Sequence, residues 1–181
     1  MKRAVIAAAG RGTRLLPLTR ITPKPLLPVL DRPLVDYVIA EVMAAGITEI
    51  FLLYDLATFK QWNEVQAAYQ LKDWNQVRFV AVEANGHHWG ETLLELEDKL
   101  GNEPFALLLG SEIFEHGGSF LAEMISTFEE TRCTTIAINH HGSEDDIIRL
   151  KSVREAFTKD TSFGADGSRF LGRYILPADF L

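Results

Sequence analysis

Short apolar runs alternate along the chain with segments in which apolar residues recur at every third or fourth position. The short runs are typical of buried strands, and the spaced positions predict amphipathic helices. The predicted strands cover residues 4–9, 50–54, 77–82, 105–109, 134–138 and 170–176. The predicted helices cover residues 33–45, 58–71, 91–100 and 119–130, the last capped by Ser119, with a further helix near 146–157. This alternation predicts a parallel sheet covered by helices on both faces.

Residues 11–32 interrupt this alternation directly after the first predicted strand. They show no clear period and contain four prolines, at positions 17, 23, 25 and 28. A proline-rich segment without periodicity predicts a long ordered loop rather than a helix or a strand. Long loops in compact domains usually have a functional role, so this loop is the first candidate for a binding or catalytic site.

Composition excludes several classes of protein. Hydrophobic residues make up 47% of the 181 residues and charged residues 24%, which is the balance of an ordinary globular protein. The single cysteine excludes an internal disulfide and a cysteine-rich metal cage, and it suits the reducing cytoplasm. No apolar run approaches the roughly 20 residues needed to cross a bilayer, so no membrane partner is expected. We interpret residues 4–9 as a buried strand rather than a signal peptide.

The charge is unevenly distributed. The first thirty residues carry six cations and no acid, whereas the whole chain has a net charge of −7, which leaves −13 on the remainder. A chain that is acidic overall is a poor candidate for nucleic-acid binding. The local cluster of cations favours a small anionic ligand instead.

The beginning of the loop combines glycines with cations. Gly10 and Gly12 let backbone N–H groups approach a phosphate, Arg14 can form a fork to phosphate oxygens, and Lys24 supplies a mobile charge. A dinucleotide-binding fingerprint would need a third glycine where Leu15 stands, followed at once by a helix. A P-loop would need Gly-Lys-Ser/Thr, which is absent. A plain turn without a ligand is the alternative, and the cations and the long loop weigh against it.

The same loop resembles the signature of the sugar-1-phosphate nucleotidyltransferases, Gly-x-Gly-Thr-Arg-x-x-Pro-x-Thr-x-x-x-Pro-Lys-x-x-x-Pro. Every fixed position of that signature matches residues 10–28, which read GRGTRLLPLTRITPKPLLP. Within the family the chain is most similar to the bacterial UTP–glucose-1-phosphate uridylyltransferases. Supporting stretches lie at 33–38, 44–50 and 172–176.

The resemblance implies a Rossmann-like three-layer α/β/α fold with a mostly parallel central sheet. It implies one nucleotidyltransferase domain over residues 1–181, with the C-terminal part of the family fold missing. It also implies the reaction of UTP with glucose 1-phosphate to give UDP-glucose and pyrophosphate. The expected partners are therefore a nucleoside triphosphate and a sugar 1-phosphate, and a homo-oligomer is left open.

The resemblance also implies roles for residues of the loop. Ala9 and Gly10 would contact the base. The leaving pyrophosphate would be held by Gly12, Thr13 and Arg14, and Lys24 would neutralise the charge at the reacting phosphorus.

Later positions depart from the family pattern. Where relatives have a glutamine that pairs with uracil, counting back from Gly90 places Glu83, and ionised glutamate can only accept hydrogen bonds. Ser111 aligns with the aspartate that binds Mg²⁺, which leaves the adjacent Glu112 as the candidate metal ligand. Relatives also have a Glu-Lys-Pro stretch that binds the sugar phosphate, and residues 139–169 contain none.

These observations leave three hypotheses. The first is an active nucleotidyltransferase that uses Mg²⁺. The second is a catalytically impaired relative that binds nucleotide and has a regulatory or interaction role. The third is a non-enzymatic fragment or interaction protein.

Overall fold

The computed structural model describes residues 1–10, 12–82, 93, 96–114, 117–139, 145–150 and 169–180. The strands in chain order are β1 (Arg3–Ala7), β2 (Pro28–Val29), β3 (Arg32–Pro33), β4 (Glu49–Asp55), β5 (Val77–Val82), β6 (Phe105–Leu109), β7 (Thr134–Asn139), β8 (Asp145–Leu150) and β9 (Arg169–Leu176). The α-helices are α1 (Leu34–Ala44), α2 (Phe59–Tyr69), α3 (Glu97–Leu100) and α4 (Gly117–Thr131).

The described strands form a seven-stranded sheet in the order β5-β4-β1-β6-β9-β7-β8. β1 lies between β4 and β6 and pairs with both in parallel, and β4 pairs with β5 in parallel. β9 is antiparallel to β6 and to β7, and β8 is antiparallel to β7, so five of these seven strands run in one direction. The sheet is therefore mostly parallel, which confirms the expected fold class.

Side chains on both faces of the central strands are buried, which explains why these strands read as continuous apolar runs. Ala4 and Ile6 of β1 belong to a cluster with Val38 of α1. Val5 faces the opposite way and belongs to a second cluster that contains Leu96 and Leu100. The sheet is thus the middle layer of an α/β/α sandwich.

Three details differ from the sequence expectations. The prediction of a helix near 146–157 is wrong for residues 146–150, which belong to strand β8 and pair with β7. The rest of that predicted helix, residues 151–157, lies outside the described residues. Adjacent β-branched residues, Ile147 and Ile148, suit this ladder. Ser119 does not cap its helix, because α4 begins two residues earlier, at Gly117. The antiparallel insertion of β9 between β6 and β7 is a non-local pairing that periodicity does not reveal.

The predicted ordered loop is present over its described residues. It consists of three single turns of 3₁₀ helix, Thr13–Leu15, Leu18–Arg20 and Lys24–Leu26, followed by the short hairpin of β2 and β3. None of the helices in the described ranges is both long enough and apolar enough to cross a membrane.

Candidate functional site

The loop after β1 folds back so that its two ends lie together. Gly12 has φ +61°, a left-handed conformation that favours glycine, and a Cβ added there would lie 2.9 Å from Cγ2 of Thr19 and 3.1 Å from Cβ of Lys24. The hydroxyl of Thr19 donates to the Gly12 carbonyl oxygen at 2.9 Å. Gly12 therefore allows the close approach that brings Lys24, twelve residues further along the chain, beside the first turn.

Thr13 and Arg14 lie in that first 3₁₀ turn. The Leu15 amide donates to the Gly12 carbonyl at 2.9 Å, which closes the turn, and both Thr13 and Arg14 are exposed. Neither Arg14 nor Lys24 forms an ion pair with any residue in the described ranges. The two cations are therefore not neutralised by a described carboxylate and can meet an anionic ligand.

A cavity of about 270 Å³ lies between this loop and the end of β4. The predicted residues Ala9 and Gly10 line it, together with Asp55, Thr58 and Gln61, which sequence reasoning missed. The signal that could have identified them is their position at the carboxyl end of β4 and in the segment that follows it, since the carboxyl ends of parallel strands meet at one edge of the sheet. Asp55 is held there by the amide of Ala57, which donates to its Oδ1 at 3.0 Å.

The chain after β6 crosses the end of β1 before it reaches Ser111 and Glu112. The amide of Gly110 donates to the Ala7 carbonyl at 2.9 Å, and a Cβ on Gly110 would lie 3.1 Å from Cβ of Ala8. The following turn directs Glu112 toward β9, where its Oε2 accepts the backbone N–H of Gly172 at 2.8 Å. Ser111 and Glu112 are both half-buried.

The donors at the end of β6 fit a Mg²⁺ ion held by one carboxylate. The described ranges contain no group of three or more histidine, cysteine, aspartate or glutamate side chains that could hold a metal by themselves. Mg²⁺ is commonly bound by one or two carboxylates, with phosphates and water completing its coordination. Glu112 also has the support typical of a metal-binding carboxylate, since a backbone amide fixes one of its oxygens.

Arg173 on β9 lies beneath this turn and is completely buried. Its Nη2 donates to the Glu112 carbonyl at 2.8 Å, and its Nε and Nη2 donate to Oε1 and Oε2 of Glu41 at 2.6 and 2.7 Å. The ion pair connects α1 to β9 through the core. Nothing in the sequence pattern predicted that Glu41 and Arg173 would be partners.

Tyr174 follows Arg173 and lies on the opposite face of the sheet, where it is 8% exposed. Burial, and secondarily the charge of Glu112, raises the pKa of Tyr174 to about 12. Its hydroxyl therefore stays protonated to a higher pH than that of an ordinary tyrosine.

We expect the raised pKa of Tyr174 to make the fold less stable at alkaline pH. Below the ordinary tyrosine pKa of about 10, the protonated Tyr174 makes its full contribution to the free energy of unfolding. That contribution is lost as the pH rises through about 12, because the unfolded chain releases the proton more readily than the folded one. A shift of this size corresponds to roughly 2–3 kcal/mol of unfolding free energy. Urea unfolding at several pH values from 8 to 12 should show a shallower decline for Tyr174→Phe. Identical pH slopes in the two proteins would contradict the expectation. Tyr54, whose pKa is also raised by burial, is present in both.

The structure thus places the predicted residues in two neighbouring groups. Ala9, Gly10, Gly12, Thr13, Arg14 and Lys24 lie together in the loop after β1. Ser111 and Glu112 follow the adjacent strand β6. Glu83 and Gly90, the predicted base contacts, lie outside the described residues.

The chain belongs to the nucleotidyl transferase family, whose family model matches residues 3–146. It is 31% identical to the UTP–glucose-1-phosphate uridylyltransferase of Mycoplasma pneumoniae, over 76% of this chain and 54% of that protein. It is 28% identical to UTP–glucose-1-phosphate uridylyltransferase 2 of Staphylococcus saprophyticus, over 99% of this chain and 72% of that protein. The chain therefore spans about half the length of the Mycoplasma relative and nearly three quarters of the Staphylococcus one.

Solved structures show the same fold. A UDP-glucose pyrophosphorylase crystallised with UDP-glucose superposes with a TM-score of 0.70 at 24% identity, covering 99% of this chain and 77% of that one. A UTP-bound UGPase from Acinetobacter baumannii gives a TM-score of 0.67 at 22% identity, covering 98% of this chain and 75% of that one.

Proposed function

We propose that this protein is a nucleotidyltransferase that forms UDP-glucose and pyrophosphate from UTP and glucose 1-phosphate. The observation that carries the proposal is the folded loop after β1, in which Gly12 in a left-handed conformation brings Lys24 beside the turn that holds Arg14. Bare amides and two cations without described carboxylate partners are suited to a triphosphate. Family membership and the names of the relatives support the same reaction.

In the proposed mechanism the loop binds and orients the triphosphate. The amides of Gly12 and Thr13 and the guanidinium of Arg14 hold the β- and γ-phosphates, which leave together as pyrophosphate. A phosphate oxygen of the sugar phosphate attacks the α-phosphorus, and the bond between that phosphorus and the bridging oxygen of pyrophosphate breaks. Lys24 stabilises the negative charge that grows on the α-phosphoryl oxygens.

Mg²⁺, where it binds, supplies further charge neutralisation at the phosphates. Glu112 is the residue that would hold it, with its Oε2 fixed by the Gly172 amide. The base would be recognised by Ala9 and Gly10 together with Glu83 and Gly90. Glu83 can accept the N3–H of uracil but has no proton for the carbonyl oxygens, so the proposed preference for UTP needs a direct comparison of nucleotides.

The reaction itself is the first test. Incubation with UTP, glucose 1-phosphate and MgCl₂ should release pyrophosphate, and parallel reactions with dTTP, CTP, ATP and GTP establish the base. No pyrophosphate from any of the five nucleotides would contradict the proposed activity.

A second candidate function is nucleotide binding without turnover, and the neutral Ser111 at the family aspartate position favours it. The melting temperature, measured with and without each nucleotide and Mg²⁺, separates the two candidates, because a bound ligand stabilises the folded state. A rise in melting temperature without pyrophosphate release would support the binding protein. A chain that neither binds nor reacts would exclude both.

We expect Arg14→Ala to weaken UTP binding by about 1.5–3 kcal/mol, the usual contribution of charge-assisted hydrogen bonds. The dissociation constant measured by calorimetry should rise about 10- to 150-fold. Arg78→Ala is the matched control, because Arg78 lies near the amino end of β5, whereas the loop follows the carboxyl end of β1. A dissociation constant unchanged in Arg14→Ala would remove Arg14 from the site.

A further inference from the structure

Every N–H group of the Arg173 guanidinium has an acceptor. Two N–H groups bind the Glu41 carboxylate, and the other three bind the carbonyl oxygens of Leu109, Gly172 and Glu112, at 3.4, 2.8 and 2.8 Å. The ring of Phe114 covers the guanidinium at 4.5 Å. One buried side chain therefore holds the main chain of the turn that carries Ser111 and Glu112.

The choice of arginine matters at this place. A planar guanidinium can bind a carboxylate on one side and three carbonyls on the others at the same time, whereas lysine has only three donors on a compact head. Three of the five N–H groups go to main-chain carbonyls, and two of these carbonyls belong to residues that flank Ser111. A completely buried guanidinium needs an acceptor for every N–H group, and here the main chain on either side of Ser111 supplies two of those acceptors.

Glu112 is fixed from two sides by the same segment of β9. Arg173 binds its carbonyl, and the amide of the preceding Gly172 binds its carboxylate at 2.8 Å. A Cβ on Gly172 would lie 2.8 Å from that carboxylate oxygen and 2.6 Å from Cγ of Leu109. The turn therefore lies directly against β9, and a displacement of Arg173 would displace the carboxylate with it.

We propose that Arg173, anchored by Glu41, is a positioning residue that holds the Glu112 carboxylate ready for a divalent cation. This inference rests on the proposed function, since it takes Glu112 as the ligand of the cation. Arg173 itself touches neither substrate nor metal, and it acts through the carbonyl of Glu112. Glu41 keeps the buried guanidinium in place, because a buried cation needs an adjacent anion.

The test uses Arg173→Lys, which keeps a cation beside Glu41 but cannot reach all of the carbonyls. Mn²⁺ is the probe, and its free concentration is measured by electron paramagnetic resonance with the whole chain and UTP present but without sugar phosphate. The same titration of UTP alone is subtracted, because the triphosphate itself binds Mn²⁺. We expect Mn²⁺ affinity to fall about 10- to 100-fold, as is typical when the support of a metal ligand is removed. Glu112→Gln should show at least an equal loss.

Ile50→Val on β4 is the control for a general loss of stability, because Ile50 is buried in the core near the amino end of a strand that pairs with β1 and β5. Its Mn²⁺ affinity should equal that of the original protein.

Glu41→Asp is the second variant in case Arg173→Lys does not fold, since the shorter carboxylate draws the guanidinium away from the turn. Glu41→Asp should also lower the affinity for Mn²⁺.

The outcomes separate this inference from the proposed function. Full Mn²⁺ affinity in folded Arg173→Lys and Glu41→Asp, with affinity lost in Glu112→Gln, overturns the positioning role and leaves Glu112 as ligand. Unchanged affinity in Glu112→Gln, or no Mn²⁺ binding by the original protein, overturns the inference together with the metal role of Glu112. In that case UTP-dependent stabilisation and pyrophosphate release still decide whether the proposed reaction occurs.

Discussion

Lys24→Met should lower the turnover number for pyrophosphate release by about 10²- to 10³-fold, the usual cost of removing one preorganised electrostatic group from a reacting centre. Residue 24 packs closely against Gly12, since a Cβ built on Gly12 would lie 3.1 Å from Cβ of residue 24. Methionine keeps the apolar stem of the lysine side chain at this contact, so the loop should retain its conformation. Only the ammonium group is lost. Because Lys24 is proposed to act on charge that grows in the transition state, the Michaelis constant for UTP should change much less than the turnover number.

Lys60→Met is the matched control for Lys24→Met. Lys60 is on the exposed surface of α2, where its side chain is 85% accessible and pairs only loosely with Glu64, at 3.6 Å. Removing its charge should leave turnover unchanged. If Lys24→Met turned over as fast as the control, or lost UTP binding and turnover by the same factor, the proposed role of Lys24 at the reacting phosphorus would be wrong.

Glu41→Ala should lower the free energy of unfolding by about 3–5 kcal/mol, because it leaves the Arg173 cation buried without its anion. Glu41 is 6% exposed and Arg173 is completely buried, so water cannot replace the lost carboxylate without a rearrangement of the core. Urea unfolding followed by tryptophan fluorescence measures the change, since Trp62 and Trp74 are buried in the core.

The double variant Glu41→Leu with Arg173→Met identifies the cause of that loss. Replacing a buried ion pair by apolar residues is often nearly neutral, so the double variant should recover part of the stability. It should not recover all of it, because the carbonyls of Leu109, Gly172 and Glu112 lose their donor. A single variant within about 1 kcal/mol of the original protein would show that the pair is not essential to the fold, since even exposed ion pairs contribute up to that amount.

Much of the architecture could be predicted from local patterns. The strands at 50–54, 77–82 and 105–109 are continuous apolar runs because both of their faces are buried, and the structure confirms them within a residue or two. The region 146–150 was mispredicted as helix because it contains no continuous apolar run of that kind. Its strand is defined by antiparallel pairing with β7, the preceding strand in the chain, rather than by an internal period of apolar residues.

Part of the candidate site could likewise be predicted from the sequence, and part became visible only in the structure. The glycines, Arg14 and Lys24 stand in one continuous segment with a fixed spacing, so the candidate nucleotide-binding loop could be proposed before any fold was known. Their roles in catalysis remain predictions that the variants above test. Asp55, Thr58 and Gln61 were missed because they join the cavity only when β4 is placed beside β1.

The sequence by itself determined the family and the α/β class, and it predicted phosphate binding by the first loop, because each of these depends on residues close together in the chain. Only the tertiary structure decided that Lys24 lies against Gly12, that Glu112 turns toward Gly172, and that Glu41 meets Arg173 across 132 positions. These contacts follow from the order and direction of the strands. That order is set by the burial of the whole sheet, which no single segment encodes.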